Sequence, residues 1–309
     1  MLLGAKNYFF TDFRYRGVAQ ELEKSKTCVP FTFVELNEAG WKKLLALTES
    51  QTVEYESAHV TIDELAAWRK RLHKSKFSAS KNPIEVQRLL KTPNEIKKLK
   101  KSQQINEETL KRVQKLFKPG VTELELAWRI KVIGHELGAE DISFEPIVGF
   151  GPHSAIPHHQ NTASKLKANE LVLIDMGMKY EGYCSDMTRT FLPKKPSAEQ
   201  QNVYKKVLRA QTLAIAAIKP GIACKKLDEI ARKSMGSAAK FFGHSIGHGV
   251  GLDVHEAPNL SSRSKDTLKT GMVVTVEPGI YLDGNFGVRI EDCGLVTEKG
   301  YENFMEFEK

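Results

Sequence analysis

The chain has 309 residues, of which 41% are hydrophobic and 27% charged, a globular balance that argues against a disordered or fibrous protein. This length allows one large domain or two ordinary ones. The formal net charge of +8 raises the question of a nucleic-acid partner, whereas no stretch approaches the roughly 18 apolar residues of a membrane span, so no membrane partner is expected.

The positive charge is concentrated in one stretch, which we call the basic run. Its members are Arg69, Lys70, Arg71, Lys74, Lys76, Lys81, Arg88, Lys91, Lys97, Lys98, Lys100 and Lys101. Phe77 is the one aromatic residue within it, and no nucleic-acid motif accompanies it. We interpret the run as a solvated linker and helix face and expect no nucleic-acid partner.

The cysteines and the amino terminus indicate the cellular compartment of the protein. Cys28, Cys184, Cys224 and Cys293 show no CxxC spacing and no disulfide framework. The short apolar run at the amino terminus is broken by Lys6 and lacks a cleavage site, so no signal peptide is expected. Reduced thiols in a cytoplasmic protein fit both observations.

The first 88 residues predict a small α/β domain. Strands are expected at 27–36 and 51–62 from β-branched and aromatic content, and helices at 38–47 and 63–72. The polar stretch 74–83 is typical of a linker.

A helix–helix–hairpin order follows in residues 89–309. Thr92-Pro93-Asn94-Glu95 predicts a capped helix that ends at Pro119-Gly120, and a second helix runs from 122 to about 137. The hydrophobic period then changes to two, which predicts strands at 171–177 and 183–191 around a turn at 179–182.

The same order recurs in the second half. Helices are predicted from a capping box at 197–200 and again from Leu227, followed by strands at 272–281 and 287–297 around Asp283-Gly284. KPGV at 118–121 matches KPGI at 219–222, which indicates two related halves. The predicted fold class is therefore α+β, with a duplicated helix–helix–hairpin domain after the small one.

Four acidic residues occupy matching places in the two halves. A turn centred between Tyr180 and Glu181 places Asp175 opposite Asp186, and a turn centred on Gly284 places Glu277 opposite Glu291. Like charges paired across apolar strands repel and are costly to bury, and a bound dication resolves both problems. The alternative, exposed acids paired with lysine or arginine, fits one such residue better than four placed symmetrically.

A metal pair also favours a nitrogen ligand. The glycine-rich stretch GHSIGHGVGLDVHE at 243–256 offers His244, His248 and His255, and spacing alone does not choose among them. Oxygen ligands with one imidazole suit Mn²⁺, Co²⁺, Fe²⁺ or Zn²⁺. Two such ions activate water and polarise a carbonyl or phosphoryl group, which points to a hydrolase.

These motifs resemble a known family. IDMGMKYEGYCSDMTRTF, GHSIGHGVGLDVHEAP, VEPGIY and GVRIEDCGLVT are similar to the four signature regions of the pita-bread metallopeptidases, and most similar to the Xaa-Pro dipeptidases (prolidases) and Xaa-Pro aminopeptidases. The resemblance covers residues 89–309. It implies the duplicated pita-bread fold, two divalent metal ions with Mn or Co favoured over Zn or Fe, and a homodimer.

The resemblance also implies roles for individual residues. The implied metal ligands are Asp175, Asp186, His248, Glu277 and Glu291, with Asp186 and Glu291 bridging the two ions. The implied catalytic residues are His158 for substrate contact and proton transfer, His255 for the tetrahedral intermediate, Glu277 as base and Arg289 as a brace beside Glu291. His153, His159 and His244 are left as structural or exposed.

The implied reaction is hydrolysis of the bond between an N-terminal residue and proline in small peptides. YFFTDFRY resembles part of the small domain that precedes the catalytic domain in the Xaa-Pro group, and its early position implies that the first strand and helix of that domain are missing. Three alternatives remain open: a methionine aminopeptidase-like enzyme, a non-catalytic binding protein on the same fold, and a metal-free creatinase-like hydrolase. The complete ligand set argues against the last two.

Overall fold

A computed structural model describes residues 2–3, 6–25, 28–81 and 83–309. The chain divides into two units, Met1–Val86 and Gln87–Lys309. Among the described residues, no helix has the length and apolar character needed to cross a bilayer.

The first unit is α/β. Its strands are Leu2–Leu3 (β1), Lys6–Thr11 (β2), Thr32–Glu35 (β3), Thr52–Glu56 (β4) and Lys76–Ser80 (β5). Its helices are Arg16–Lys24 (α1), Glu38–Thr48 (α2) and Ile62–Arg71 (α3), and Pro83–Arg88 (α4) spans the boundary in sequence. β2 pairs with β3 and β4 with β5 in parallel, as helical crossovers require.

Two predictions for this unit need correction. The segment predicted as a linker contains β5, in which Phe77 pairs with Val53 and Ala79 with Tyr55 along β4. Polar neighbours hide this alternation in the sequence. The strand predicted at 51–62 ends at Glu56, since Thr61 caps α3 with a reciprocal bond to Glu64. Thr27, the first residue of the other predicted strand, lies outside the described residues.

The second unit has the predicted duplicated architecture. Its first half comprises Pro93–Gln114 (α5), Glu123–Glu136 (α6), Asp141–Ile142 (β6), Ile147–Phe150 (β7), Val172–Met176 (β8), Met178–Tyr180 (β9), Tyr183–Cys184 (β10) and Met187–Phe191 (β11). Thr92 and Thr122 cap the two helices through capping boxes. The strands form two antiparallel sheets, β11-β8-β7 and β10-β9-β6.

The second half repeats this order. It comprises Ala198–Ala217 (α7), Cys224–Met235 (α8), Gly247–Gly249 (β12), Glu256–Leu260 (β13), Val273–Val276 (β14), Gly279–Leu282 (β15), Phe286–Arg289 (β16), Asp292–Thr297 (β17) and Gly300–Asn303 (β18). Its strands form the sheets β13-β12-β14-β17-β18 and β15-β16. The helices and strands pack around two apolar cores. One lies mainly in the first half and includes Ile130 and Ile174, the other lies mainly in the second half and includes Val207 and Val274, and each takes some residues from the other half.

The register of the first hairpin differs from the prediction. Thr188, not Asp186, lies opposite Asp175, because Glu181 and Gly182 both adopt positive φ and form a two-residue turn centred between them. A shift of two residues keeps the same face, so Asp186 remains a diagonal neighbour of Asp175. The second hairpin has the predicted register, with Val276 opposite Asp292 and Gly279 opposite Arg289.

Both hairpins bend where the acidic residues lie. Each hairpin strand is interrupted, at Gly177, at Ser185-Asp186, at Glu277-Pro278 and at Ile290-Glu291, and the turn predicted at 179–182 is wrong for Lys179 and Tyr180, which belong to β9. Gly177 allows this bend, since a Cβ there would lie 2.1 Å from the carbonyl oxygen of Ser185. The breaks free these acidic side chains from regular strand geometry and turn them toward a shared cavity.

Candidate metal centre

The five predicted metal ligands converge on one cavity of about 760 Å³. They are Asp175 on β8, Asp186 before β11, His248 on β12, Glu277 after β14 and Glu291 between β16 and β17. One ligand atom each from Asp186, His248 and Glu291 lie within 4.8 Å of one another. Since the five come from both halves, the fold assembles the site across its internal repeat.

The His248 ring is oriented as a metal ligand requires. Its Nδ1 lies 3.1 Å from the carbonyl oxygen of Gly249, which can accept the Nδ1 proton. Its Nε2 faces the carboxylates, 3.2 Å from Glu277 Oε1 and 3.6 Å from Asp186 Oδ2. The two carboxylates near Nε2 therefore favour His248 among the three histidines that spacing left open.

Two carboxylate oxygens of the site are orphaned. Asp175 Oδ1 and Glu291 Oε1 are buried without a hydrogen-bond partner in the described part of the chain. An unsatisfied buried polar atom costs about 1–3 kcal/mol, and more when it is charged. Divalent cations held by these five side chains would remove that cost, so the residues fit the two ions that the sequence implies.

Without a cation, the carboxylates of the site differ strongly in pKa. Burial, reinforced by Glu291 and Asp175, raises the pKa of Asp186 well above its ordinary range. Burial and the charge of Glu277 do the same to the pKa of Glu291. Burial opposes ionisation of Glu277 as well, but the hydrogen bond and charge of His248 prevail and lower its pKa to about 2.

Metal binding is expected to stabilise the protein more strongly as pH rises. The raised pKa values of Asp186 and Glu291 mean that protons compete with the metal at low pH. They also mean that the metal-free protein loses stability as pH rises through those values. Mn²⁺ should therefore raise Tm more at about pH 8 than at about pH 5, measured by calorimetry on metal-stripped protein. A shift that is equal at both pH values, or larger at low pH, would contradict this.

Arg289 connects the ligands behind the cavity. Its Nη2 lies 2.5 Å from Asp175 Oδ2, and its Nε donates to Thr188 Oγ1 at 3.0 Å. The Thr188 hydroxyl in turn donates to Glu291 Oε2 at 2.8 Å. The guanidinium thus braces one ligand directly and a second through one hydroxyl, in keeping with the bracing role that the resemblance implies.

Sequence reasoning set His244 aside and did not consider Tyr281 or Thr188. His244 lies in the cavity wall, where its Nε2 is 2.8 Å from the Tyr281 hydroxyl and its Nδ1 is 2.8 Å from the carbonyl oxygen of Ser245. That hydroxyl also accepts from Arg289 Nη1 at 2.8 Å, and burial raises the pKa of Tyr281 to about 12, so it stays protonated. The glycine-rich stretch had offered His244 as a candidate, and it was set aside when the resemblance gave roles to His248 and His255.

The two other predicted site histidines face the cavity. His158 follows the 3-10 helix Gly151–Ala155, and His255 directly precedes β13. The His255 ring packs edge-on against His248 with 4.4 Å between centroids. Burial and the neighbouring charge of His248 lower the pKa of His255, which favours its neutral form.

His153 and His159 are structural, as expected from the sequence. Both point to Glu123, whose carboxylate is fully buried, with Nδ1 of His153 at 2.8 Å from Oε1 and Nε2 of His159 at 2.9 Å from Oε2. The backbone N–H groups of Phe150 and Thr162 and the Thr162 hydroxyl also donate to it. Five donors leave no lone pair for a metal, although the three residues could otherwise form a metal site.

Replacing Glu123 by glutamine is expected to lower the free energy of unfolding by more than about 2 kcal/mol. Hydrogen bonds to a charged group contribute about 1.5–3 kcal/mol each. In the variant, the NH₂ group of the amide would face groups that themselves donate hydrogen bonds, so those bonds would be lost. Urea denaturation measures the change, with Glu136→Gln at the exposed end of the same helix as control. Equal stability of the two variants would show that the buried carboxylate is dispensable.

Comparison with known proteins agrees with this architecture. Metallopeptidase family M24 matches residues 97–298. An uncharacterized peptidase of Staphylococcus aureus (strain USA300) is 41% identical over 82% of this chain and 73% of its own length. The solved Xaa-Pro dipeptidase of Bacillus anthracis has a TM-score of 0.92 at 33% identity, covering 99% of this chain and 86% of that one. The X-Pro aminopeptidase of Thermotoga maritima has a TM-score of 0.88 at 32% identity, covering 99% and 87%.

These matches and the cavity define the class of protein as a metallopeptidase, a hydrolase whose fold carries a carboxylate and imidazole cluster. The chain belongs to metallopeptidase family M24.

Proposed function

We propose that this protein is a dinuclear-metal peptidase that hydrolyses the bond between an N-terminal residue and proline, as an Xaa-Pro dipeptidase or an Xaa-Pro aminopeptidase. The observation that carries the proposal is the convergence of five metal-ligand side chains, two with orphaned oxygens, in one cavity. Solved structures of both enzyme types superimpose on nearly the whole chain, which supports the substrate class. Residues 89–309 form the catalytic domain in this proposal and residues 1–88 a small accessory domain.

Asp175, Asp186, His248, Glu277 and Glu291 would hold two divalent ions. The oxygen-rich set with one imidazole suits Mn²⁺, Co²⁺, Fe²⁺ or Zn²⁺, and the family resemblance favours Mn²⁺ or Co²⁺ among them. When bound, such ions polarise the scissile carbonyl and lower the pKa of water.

The remaining residues of the site have distinct roles in this reaction. Glu277 is ionised at neutral pH, with its pKa at about 2, and accepts a proton from the attacking water. His255 faces the developing oxyanion. His158 delivers a proton to the leaving ring nitrogen of proline, which cannot depart as an anion. Arg289 holds Asp175 in place.

The cavity wall beside the ligands suits a prolyl ring. Phe144, Ile147 and Pro157 give it apolar surface next to His158. An Xaa-Pro bond is a tertiary amide without an N–H, so an enzyme for it gains selectivity from the shape of a ring pocket rather than from a hydrogen bond to that nitrogen.

A peptide panel tests the substrate class. We expect cleavage of Ala-Pro and Ala-Pro-Ala but not of Ala-Ala-Ala, and the ratio of dipeptide to tripeptide turnover separates a dipeptidase from an aminopeptidase. Cleavage of Met-Ala-Ala in place of the proline peptides would favour the methionine aminopeptidase alternative, which shares the five ligands. Tight RNA binding by a protein that holds no metal would favour a binding module instead.

Two further features belong to the proposal. The four free cysteines fit a reducing compartment, so we place the enzyme in the cytoplasm. The resemblance to Xaa-Pro peptidases also implies a homodimer, which light scattering of the purified protein measures directly.

A further inference from the structure

Two members of the basic run, one buried and one partly buried, are paired with a buried carboxylate. The side chain of Lys91 is 2% exposed and that of Arg88 is 24% exposed, and both face Glu256, which is 8% exposed. A lysine is almost never buried to this extent without a partner. The interpretation of the whole run as a solvated face is therefore wrong for Lys91, and it holds only in part for Arg88.

Together these side chains form a charge cluster, which we call the Glu256 clamp. Lys91 Nζ donates to Glu256 Oε2 at 3.1 Å. Arg88 Nη2 donates to Glu256 Oε1 and, at 2.8 Å, to Asp253 Oδ2. The backbone N–H of Asp253 also donates to Glu256 Oε1 at 3.1 Å, so one carboxylate joins both cations to the loop that precedes it.

The backbone on both sides of the clamp is fixed. The N–H of Lys91 donates to the carbonyl oxygen of Gly271 at 2.9 Å, and the N–H of Gly251 to that of Asp253 at 3.0 Å. A Cβ at Gly251 would lie 2.5 Å from Glu256 Oε2, which shows how closely the loop wraps the carboxylate. The clamp therefore holds the part of the loop next to β13, while the N–H of Cys184 holds the other part at the Gly251 carbonyl oxygen, 2.8 Å away.

This loop carries His255. None of the described residues forms a hydrogen bond with its ring, whose one ring contact is the edge-on packing against His248. The placement of the ring in the cavity wall thus depends on the loop backbone, and the next residue along is Glu256.

We propose that Lys91 and Arg88 are positioning residues that hold His255 in the cavity through the carboxylate of Glu256. Removing either cation leaves the buried Glu256 carboxylate with one cationic partner in place of two, and exposure to water relieves such a deficit. Here that relief requires the loop to move, and His255 moves with it. Displacement of a site residue by about 1 Å can cost on the order of 100-fold in rate.

The kinetic test rests on the proposed function and uses metal-loaded full-length protein with Ala-Pro peptides. Lys91→Met is expected to lower kcat by about 10–100-fold, with metal content near that of the wild type and a lower Tm from the broken buried ion pair. Lys100→Met is the control, since Lys100 pairs with Glu302 where both side chains are partly exposed. Arg88→Met should behave like Lys91→Met, and Arg88→Lys should restore activity by keeping the charge.

A double-mutant cycle separates positioning from a general structural effect. If the clamp acts through His255, Lys91→Met should have little further effect in a His255→Ala background. An equal loss in both backgrounds, or full activity of Lys91→Met and Arg88→Met alike, would overturn the proposal. Should Lys91→Met fail to fold, the same comparison with Arg88→Met and Arg88→Lys decides.

A second readout does not depend on peptidase activity. The amide of Asp253 is bonded to the Glu256 carboxylate, so its hydrogen exchange should accelerate in Lys91→Met and stay unchanged in Lys100→Met. Unchanged exchange in Lys91→Met would refute the clamp even in an active enzyme. A wild type that cleaves no proline peptide but shows the expected exchange pattern would refute the proposed function and leave the clamp standing.

Discussion

Replacing Glu291 by glutamine is expected to reduce peptide hydrolysis by at least about 1,000-fold while the protein stays folded. Glu291 is 1% exposed and lies within 4.8 Å of the ligand atoms of Asp186 and His248. The glutamine side chain has nearly the same volume as glutamate but lacks the negative charge that a cation shared by these ligands needs. Loss of several kcal/mol of transition-state stabilisation corresponds to this factor.

The metal content of the variant, measured by mass spectrometry, should fall together with kcat. Glu302→Gln on the exposed face of β18 is the matched control and should retain both metal and activity. Unaltered hydrolysis by Glu291→Gln would show that this carboxylate is not needed for metal binding, and it would contradict the bridging role that the resemblance implies.

Replacing Arg289 by methionine is expected to destabilise the metal-free protein by about 3–5 kcal/mol, because Asp175 would lose its buried cationic partner. The loss should be smaller in the metal-loaded protein, where the same carboxylate has a second cation available. Activity should fall by about 10–100-fold, as expected when a residue that orients a metal ligand is removed.

Urea denaturation with and without Mn²⁺ measures this difference. Arg289→Lys keeps a charge near Asp175 but cannot span both Thr188 and Tyr281, so we expect an intermediate stability. Equal destabilisation in the presence and absence of metal would show that Arg289 acts on the fold without acting on the metal centre.

The duplicated fold could be predicted because the helix caps, the short motifs and the acidic residues all recur in the second half of the catalytic sequence. The capping boxes at Thr92 and Ser197 and the two KPG stretches mark equivalent helices, and the acidic residues recur at equivalent places on the strands. The first hairpin shows the limit of such reasoning. Its register depends on where the turn is centred, and the sequence does not reveal that Glu181 adopts a positive φ and moves the centre one residue along the chain.

The choice among histidines could not be made from spacing. His244, His248 and His255 all lie in the glycine-rich stretch and face the cavity. His244, like His248, has its Nδ1 beside a backbone carbonyl, so it is the carboxylates near the Nε2 of His248 that distinguish this ring. These contacts arise from the fold of the backbone. The resemblance to the family supplied what the residues alone did not.

The Glu256 clamp could not be predicted because its residues are far apart in the sequence. Lys91 and Glu256 are 165 positions apart, and nothing near Lys91 in the chain sets it apart from its neighbours Lys97 and Lys98. A high density of charged residues in a sequence predicts that most of their side chains are exposed to solvent. Which members of a basic run are buried is decided by long-range packing.

The most direct test of the central claim is the release of alanine from Ala-Pro-Ala and Ala-Pro by metal-stripped protein, before and after Mn²⁺, Co²⁺ or Zn²⁺ is restored. The account predicts no release without metal and recovery with Mn²⁺ or Co²⁺, together with two ions bound per chain. Folded protein that releases nothing with any of the three metals would contradict the assignment as an Xaa-Pro peptidase.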